Sequence, residues 1–330
     1  MLKFENPPEE PWRWLKQLRR KDFENKAHCG RVVIVGGESG MVGAAFLAGR
    51  TALFSGAGWV ILGLLAKDAP GMDMLHPELM CLPLPAMSEV LMGHLRQAQT
   101  VAIGPGLGQG ELAQHWLEKA LMSNGRLVLD ADALNLLAKN PQLKALIRAR
   151  QDPGNTVITP HPGEAARLLG VTTELIEHDR QQAAQNLAER YLCLVVLKGE
   201  GTCCAAPRAL ALKPWVCRWG NAGMASAGMG DALTGLIASL SAQGVYHGLS
   251  LWQASVLGVE LHARSGDELS RMAMSSLGSD AINSKLNHIT FDSKAEHGHG
   301  KAPPFNGLHA SELGPVIRHL IHNALNPQGQ

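Results

Sequence analysis

The stretch RVVIVGGESGMVGAAFLAGRTALFSGAG, residues 31–58, contains in one piece the unit from which the fold is built. A β-branched run, RVVIVG, leads into a glycine-rich turn, and a helix-length segment of small and apolar residues follows over 42–55. Short β-branched runs closed by glycine are typical of buried strands, whereas the longer segment is typical of a helix. The stretch therefore predicts a strand, a turn and a helix in succession.

The same order recurs along the chain up to about residue 241. Further strand-like runs and helix-length segments alternate at 100–104, 110–123, 126–130, 132–139, 155–159, 163–169, 178–191 and 193–199. Parallel neighbours in a sheet need crossover connections, which helices usually supply. We therefore expect an α/β fold with a mostly parallel central sheet that is covered by helices on both faces.

Composition excludes several classes of partner. The 330 residues include 30 basic and 29 acidic side chains, and a net charge of +1 gives no overall field for holding nucleic acid or an anionic membrane. The charged, proline-interrupted N-terminus has no signal-peptide pattern, and no apolar run approaches the ~20 residues that span a bilayer. Six cysteines without a Cys-x-x-Cys pair fit a reducing compartment. We expect a cytoplasmic protein with neither nucleic-acid nor membrane partners.

The domain organisation is simple. No proline- or serine-rich linker interrupts the centre of the chain, which predicts a single domain over 30–330 after an N-terminal arm over 1–29. The arm should pack on the body through Trp12 and Trp14. Residues 272–306 are rich in Gly, Ser, His and Pro and low in periodic apolar content, which predicts a surface insertion.

The most informative turn is GNAGMASAGMGDALTGLIASL, residues 220–240. Small residues up to Gly230 leave the backbone N–H groups free to point outward, and an apolar helix beginning near Asp231 adds the positive charge of its N-terminus. The result is an anion hole. A carboxylate at its mouth repels phosphate but suits a general base that faces an attacking hydroxyl. The alternative is a glycine-rich turn in which Asp231 caps the helix.

Two further glycine-rich turns follow strands. GGESGMVGA, residues 36–44, lacks the G-x-G-x-x-G spacing and the acidic residue of a dinucleotide-binding fingerprint, which disfavours a Rossmann oxidoreductase. The small residues Gly43 and Ala44 fit either the close approach of a ligand or plain helix–sheet packing. AIGPGLGQG, residues 102–110, lies beyond a strand end, where ligands gather in open α/β sheets.

Charged side chains follow the later strands. Asp130 and Asp132 of LDADALN can hold a metal-bound water or cap the next helix. His161 stands between two prolines in TPHPGEAARLL and is either functional or structural. Lys198 of VVLKGEGT either reaches a nucleotide phosphate or ends a solvated strand, and Thr202 opens a hairpin strand. Because these turns all follow strands, we expect them at one edge of the sheet.

The sequence assigns no metal ligands. His297 and His299 lie in the insertion with one residue between them and no accompanying carboxylate pattern. Such pairs are more often solvated than metal-binding.

In this order the motifs GGESGMVGA, GPGLG, DADALN, TPHPGEAARLLG, LKGEGT and GNAGMASAGMGD resemble those of the ADP/ATP-dependent NAD(P)H-hydrate dehydratase family, a branch of the ribokinase-like superfamily. The resemblance spans about 20–265 and resumes at GLHASEL, where Glu312 stands in place of the usual Asp. The chain looks most like the dehydratase half of bacterial bifunctional repair enzymes. The N-terminal epimerase half of those proteins has no counterpart in this sequence.

The resemblance implies a ribokinase-like fold and a hydro-lyase that repairs hydrated NADH and NADPH. In the family, the C6 hydroxyl of the hydrated ring is phosphorylated from ADP in bacteria, or ATP in eukaryotes, with Mg²⁺, and phosphate then leaves. By motif, Ala44, Gly106 and His161 would contact the hydrated dinucleotide, and Asp231 would contact and deprotonate the reacting hydroxyl. The nucleotide-binding residues would be Lys198, Gly199, Glu200, Gly201, Thr202, Asn221 and Gly230. The resemblance also implies a homo-oligomer, with a homotetramer as the expected form.

Two other functions use the same features. A ribokinase-like kinase that releases a stable phosphorylated alcohol needs the same anion hole and base. A nucleotide-binding sensor without turnover would keep the fold, although the presence of both Asp231 and Lys198 argues against it.

Overall fold

The computed structural model describes residues 11–275, 302 and 304–326. Within these residues nine strands form one sheet. The strands are β1 (Arg31–Gly36), β2 (Trp59–Leu64), β3 (Met80–Pro83), β4 (Thr100–Ile103), β5 (Arg126–Leu129), β6 (Thr156–Ile158), β7 (Leu194–Leu197), β8 (Cys203–Ala205) and β9 (Trp215–Val216). Their order is β3-β2-β1-β4-β5-β6-β7-β8-β9. The first seven strands pair in parallel and the last two pair antiparallel, which confirms the mostly parallel sheet.

Among the described residues, helices connect the strands, and three further α-helices come after the last strand in the chain. In chain order the helices are α1 (Val42–Phe54), α2 (Ser88–Gln97), α3 (Glu111–Leu121), α4 (Asp132–Lys139), α5 (Pro141–Arg148), α6 (Pro162–Leu169), α7 (Thr173–His178), α8 (Arg180–Tyr191), α9 (Met229–His247), α10 (Leu251–Ser275) and α11 (Ala310–Leu325). In the described part of the chain no helix combines the length and the apolar character that a bilayer span requires.

The sheet has an apolar core on each face because neighbouring strand residues point in opposite directions. In β1, Val32 and Ile34 join a cluster with residues of α1, α9, α10 and α11. Val33 and Val35 join a second cluster with residues of α2 to α8. Helices therefore cover both faces, as the sequence predicts.

The strand order reverses between β1 and β4. From β1 the chain proceeds outward to β2 and β3, and it then returns to the other side of β1 to add β4 to β7 in sequence. In open parallel sheets, ligands bind outside the carboxyl ends of the strands at such a switch point. The turns after β1 and β4 lie at this position.

Helix α9 runs along the sheet in the direction opposite to the strands. Near its start, Thr234 Oγ1 donates to Asp130, which follows the carboxyl end of β5. Further along, Ser241 accepts hydrogen bonds from Thr100 and Arg126, the first residues of β4 and β5. The N-terminus of α9 therefore lies over the carboxyl edge of the sheet.

The N-terminal segment packs against the same core. Residues Pro11–Leu18 form a 3₁₀ helix in which Trp14, Leu15 and Leu18 are buried, and Trp12 packs on the same cluster in partly buried form. The two tryptophans thus make the contacts that the sequence predicts. The division of the chain at residue 30 stays a prediction.

Some residues at the two margins of the predicted surface insertion are described. Helix α10 continues to Ser275, and Met272 is buried. At the other end Ala302 is buried and donates its N–H to Asp267 on α10. The folded body therefore includes residues close to both expected boundaries, and the surface insertion itself stays a prediction. Residues 276–301, which include His297 and His299, lie outside the described residues.

Candidate active site

The turns after β1 and β4 are joined at the switch point. The N–H groups of Gly37 and Glu38 donate to the carbonyls of Pro105 and Gly106 at 3.0 and 2.6 Å. Gly106 has φ +57°, and a Cβ placed on it would stand 3.2 Å from the Cβ of Ala44. The structure thus brings together the two small residues that the sequence places near the substrate.

A buried ion pair lies beyond β5 and β7. Lys198 Nζ is 2.5 Å from Asp130 Oδ1, and Thr234 Oγ1 donates to Asp130 Oδ2 at 2.8 Å. Asp130 is 1% exposed. Both of its carboxylate oxygens are therefore occupied, and Asp130 does not cap the next helix, which is one of the two alternatives that the sequence leaves open.

Lys198 is not a solvated strand terminus, since only 18% of its side chain is exposed. Burial lowers its pKa, but the charges of Asp130 and Glu164 outweigh burial and raise the pKa above its ordinary value. The ammonium group therefore stays charged and is held at the edge of the sheet.

The N-terminus of α9 lies directly beside this ion pair. The helix begins at Met229, after Gly228 with φ +88°, so Asp231 is its third residue and not its cap. A Cβ on Gly230 would stand 3.1 Å from Lys198 Nζ. The first N–H groups of a helix have no partner within it, so this turn offers both N–H donors and a nearby ammonium group to an anion.

His262 on α10 forms a hydrogen bond with the first turn of α9. Its Nε2 lies 3.0 Å from the carbonyl oxygen of Met229, to which it donates. Burial lowers the pKa of His262 to about 4, and the nearby Lys198 charge acts in the same direction. The imidazole is therefore neutral and serves as a support.

Asp231 has the pKa of a general base. Burial and the charges of Asp130, Asp132 and Glu164 together raise its pKa to about 7, while the charge of Lys198 opposes the rise. A base is most effective when its pKa lies near the operating pH. Asp231 is half-buried at the mouth of the anion hole and can therefore exchange a proton with a bound hydroxyl.

His161 begins α6 through a reciprocal capping box. Its Nδ1 accepts from the N–H of Gly163 at 3.0 Å, and Glu164 Oε2 accepts from the N–H of His161 at 2.9 Å. The imidazole thus has a structural role, and 49% of its side chain remains exposed at the same edge. Its contact with the dinucleotide stays a prediction.

The turn Lys198–Thr202 takes a shape that needs glycine. Gly199 has φ +135° and Gly201 has φ +64°, both in the region that L side chains rarely adopt. Arg180 from α8 donates to the carbonyl of Lys198 at 2.8 Å and lies where a Cβ on Gly199 would be. Thr202 Oγ1 donates to the Gly199 carbonyl, and the predicted hairpin strand follows as β8. Binding of a nucleotide by this turn, including Glu200, stays a prediction.

Asn221 uses its side chain within the protein. Its Oδ1 accepts from the N–H of Gly223 and from Ser270, and its Nδ2 donates to Asp267 and Gly266. The amide thereby fastens the loop before α9 to α10. The contact of Asn221 with a nucleotide stays a prediction.

The carboxylates at this edge do not form a resident metal site. No group of three or more His, Cys, Asp or Glu suited to a metal exists among the described residues. Asp132, the other expected metal or capping residue, accepts from the N–H of Gly108 at 2.9 Å. Mg²⁺ usually keeps several waters and binds through substrate phosphates. The residues present therefore fit a magnesium ion that arrives with a nucleotide, and we assign it no protein ligand.

Sequence reasoning missed three supporting residues. Thr234 follows Gly230 by one helical turn, a spacing that puts both on one face of α9 and could have been noticed. Glu164 stands three residues after His161, which is the spacing of a capping box. His262 gave no signal, because a lone histidine in a helix is usually part of the core.

Comparisons with known proteins agree on one family. Residues 32–288 match the model of a family described as NAD(P)H-hydrate dehydratase. The chain is 42% identical over 257 residues to the bifunctional NAD(P)H-hydrate repair enzyme Nnr of Escherichia coli, covering 78% of this chain and 46% of that protein. It is 35% identical to the ADP-dependent (S)-NAD(P)H-hydrate dehydratase of Neisseria meningitidis, covering 77% of this chain and 82% of that protein.

A solved structure supports the same similarity. The ADP/ATP-dependent NAD(P)H-hydrate dehydratase of Bacillus subtilis, co-crystallised with ATP and Mg²⁺, superposes with a TM-score of 0.68 at 26% identity. The match covers 93% of this chain and 94% of that one. The chain spans about half the length of the first bifunctional relatives it matches.

Proposed function

The chain belongs to the NAD(P)H-hydrate dehydratase family, and we propose that it is a hydro-lyase that restores NADH and NADPH from their (S)-hydrates with ADP as phosphoryl donor. The observation that carries this proposal is the position of Asp231. Its carboxyl group has a pKa of about 7 and belongs to the first turn of α9, one residue after Gly230, where a Cβ would stand 3.1 Å from Lys198 Nζ. A base and an anion site therefore lie side by side, as phosphoryl transfer to a hydroxyl requires.

In the first step, the C6 hydroxyl of the hydrated ring attacks the β-phosphorus of ADP. A new oxygen–phosphorus bond forms, the bond between the β-phosphorus and the bridging oxygen breaks, and AMP leaves. Asp231 accepts the hydroxyl proton as the attack proceeds. The first-turn N–H groups of α9 and Lys198 stabilise the charge on the transferring group.

In the second step, phosphate leaves from C6. Hydroxide is a poor leaving group from carbon, whereas phosphate is a good one, and the lone pair of the ring nitrogen expels it. Loss of a proton from C5 then restores the dihydropyridine. The protein's main contribution is to position the two substrates and to stabilise the negative charge. A magnesium ion bound to the nucleotide would neutralise part of the phosphate charge.

The hydrated ring would lie at the switch point. Ala44 presents only a methyl group there, the backbone of Gly106 packs closely against Met41 and Ala44, and half-exposed His161 borders the same edge. The nucleotide would lie on the other side of Asp231, against Gly230 and the glycine-rich turn Lys198–Thr202.

The decisive experiment mixes the protein with hydrated NADH, ADP and Mg²⁺ and follows the near-ultraviolet absorbance of the dihydropyridine. Asp231→Asn should reduce kcat ~10²- to 10⁴-fold, because the amide cannot accept the proton, and should leave ADP binding intact. Asp68→Asn, which neutralises an exposed carboxylate beyond β2, is the matched control and should keep full activity. Asp231→Asn with more than about a tenth of wild-type kcat would disprove the role of the base.

The same assay separates the alternatives. Accumulation of a phosphorylated hydrate without NADH would identify a kinase. Binding of nucleotide without any turnover would identify a sensor.

Donor preference and assembly are further proposals. We infer that ADP is preferred over ATP, in keeping with the ADP dependence named for the Neisseria relative. Equal kcat/KM for both nucleotides would contradict this. We also propose a homotetramer, with the N-terminal arm or α10 contributing contacts, and sedimentation of a monomer at micromolar concentration would refute it.

A cytoplasmic location is proposed from the cysteines. All six are buried free thiols, which a reducing compartment preserves. Recovery of the protein in a membrane or exported fraction of its host would contradict this location.

A further inference from the structure

Asp130 connects three elements of the active site. It follows β5, its Oδ1 pairs with Lys198 after β7 at 2.5 Å, and its Oδ2 accepts from Thr234 on α9 at 2.8 Å. With 1% of the residue exposed, Asp130 is a buried carboxylate whose charge is compensated by one lysine. Such a charge is expensive to bury, so its position calls for a reason beyond stability.

The missing side chain of Gly230 lets this ion pair lie against the first turn of α9. A Cβ at that position would stand 3.1 Å from Lys198 Nζ and 3.7 Å from Asp130 Oδ2. The next residue along the helix is Asp231. Among the described ion pairs, Lys198 has Asp130 as its partner and not Asp231. The ammonium group is thus drawn to one of two nearby carboxylates.

We propose that Asp130 is a positioning residue of the reaction: it holds the Lys198 ammonium group beside Gly230 and away from Asp231, so that the Asp231 carboxylate remains a free base. This inference rests on the function proposed above. It assigns to Asp130 neither contact with the substrate nor transfer of a proton. Asp130 acts only through the place and charge of two neighbours.

The electrostatics of the site support this role. Asp130, Asp132 on α4 and Glu164 on α6 all raise the pKa of Asp231, while Lys198 lowers it, and burial contributes most. His262, which faces Lys198 from α10, is neutral because burial lowers its pKa to about 4. Neutralising Asp130 would remove one repulsion and would release Lys198 to pair with Asp231. Both changes lower the pKa of Asp231 and weaken it as a base.

The hydrogen bond from Thr234 supplies a matched control. Thr234→Val removes that bond but keeps the charge of Asp130 and its pairing with Lys198. If Asp130 only held the three elements together, either variant would change the titration of Asp231. If Asp130 acts through its charge, only Asp130→Asn would change it.

The experiment measures the ionisation of Asp231 directly and needs no turnover. Protein labelled with ¹³C at the aspartate carboxyl carbons is titrated by NMR, and the Asp231→Asn variant identifies the Asp231 signal. In Asp130→Asn the Asp231 midpoint should fall by about one pH unit or more, and in Thr234→Val it should stay within a few tenths of a unit. An unchanged midpoint in folded Asp130→Asn, or an equal fall in both variants, would overturn the proposal.

A second pair of variants covers the case in which Asp130→Asn does not fold. Lys198→Met keeps the Asp130 charge, and the double variant Asp130→Asn/Lys198→Met removes both charges. The Asp231 midpoint should be higher in the single variant than in the double, because only the single retains the repulsion from Asp130. Equal midpoints would overturn the proposal. If the wild type restores no NADH, the proposed function fails, while these titrations still decide the role of Asp130.

Discussion

Gly106 and Ala44 face each other across the point where the strand order reverses, and a Cβ on Gly106 would come within 3.2 Å of the Ala44 methyl group. The same Cβ would stand 2.5 Å from the carbonyl oxygen of Met41. The turn after β4 and the first turn of α1 therefore approach as closely as backbone allows. Any larger side chain on either side would occupy the space next to the switch point.

Enlarging Ala44 should therefore hinder the dinucleotide and not the nucleotide. For Ala44→Leu we expect the KM for hydrated NADH to rise roughly tenfold, since overpacking of a few methylenes typically costs ~1–3 kcal/mol. The dissociation constant for ADP should not change. Gly93→Ala in α2 is the control, because a Cβ there meets nothing within 4 Å. Equal effects of the two variants would remove Ala44 from the substrate site.

The wild-type rate should depend on pH through Asp231. The base must be ionised to accept a proton, and its pKa is raised to about 7 by burial and neighbouring carboxylates. We expect kcat to reach a plateau above that pH and to fall about tenfold per unit well below it. A kcat that is constant between pH 5 and 8 would contradict this prediction.

Asp231 should also make the protein less stable as the pH rises. A carboxyl whose folded pKa of about 7 exceeds its ordinary value of 3.8 binds its proton more tightly in the folded state. Its contribution to stability is therefore complete below pH 3.8 and lost as the pH rises through 7. Asp231→Asn should raise the melting temperature at pH 8 by the equivalent of ~1 kcal/mol or more and have little effect at pH 4. A variant that melts earlier than wild type at pH 8 would contradict this.

The close contact between α1 and α9 predicts that replacing Gly235 by a larger residue destabilises the protein. A Cβ on Gly235 would stand 1.9 Å from the carbonyl oxygen of Ala48, so Gly235→Ala must push the helices apart. We expect a loss of ~1–3 kcal/mol in the free energy of unfolding. Gly93→Ala in α2 has open space and should stabilise by up to ~1 kcal/mol through helix propensity. Chemical denaturation measures both, and similar effects of the two would show that α1 and α9 can separate freely.

Residues 277–300 should be replaceable by a short Gly/Ser linker without loss of fold or turnover. Their sequence has little periodic apolar content, and the cost of closing a loop grows only slowly with its length. The replacement keeps Ser275 at the end of α10 and Ala302, whose N–H binds Asp267. Insoluble protein, or protein that no longer binds ADP, would show that the segment is structural.

The sequence predicted the centre of the sheet more fully than its edge. β1, β4, β5, β6 and β7 lie where β-branched runs predict them, because buried parallel strands are apolar on both faces. β2 and β3 went unassigned. β2 is the apolar run WVILGL, and β3 at the edge has four residues with an exposed first position. α2 escaped notice because only Leu91 and Leu95 are buried in it.

The site was predicted in outline for a physical reason. Parallel strands end at one edge, so residues that follow strands must converge there, and Asp130, Lys198 and Asp231 do. Which carboxylate would pair with the lysine did not follow from the sequence. That choice depends on how closely Lys198 and Asp130 approach the first turn of α9 through the space left by Gly230, which only the three-dimensional packing determines.

Helix α9 is fastened to the sheet at two places about seven residues apart, through Thr234 near one edge and Ser241 near the other. Hydrogen bonds at two separate places prevent the helix from sliding along the sheet or rotating about its own axis. Movement during a catalytic cycle is therefore expected in the turns around Asp231. Asp231 itself keeps its position relative to the sheet.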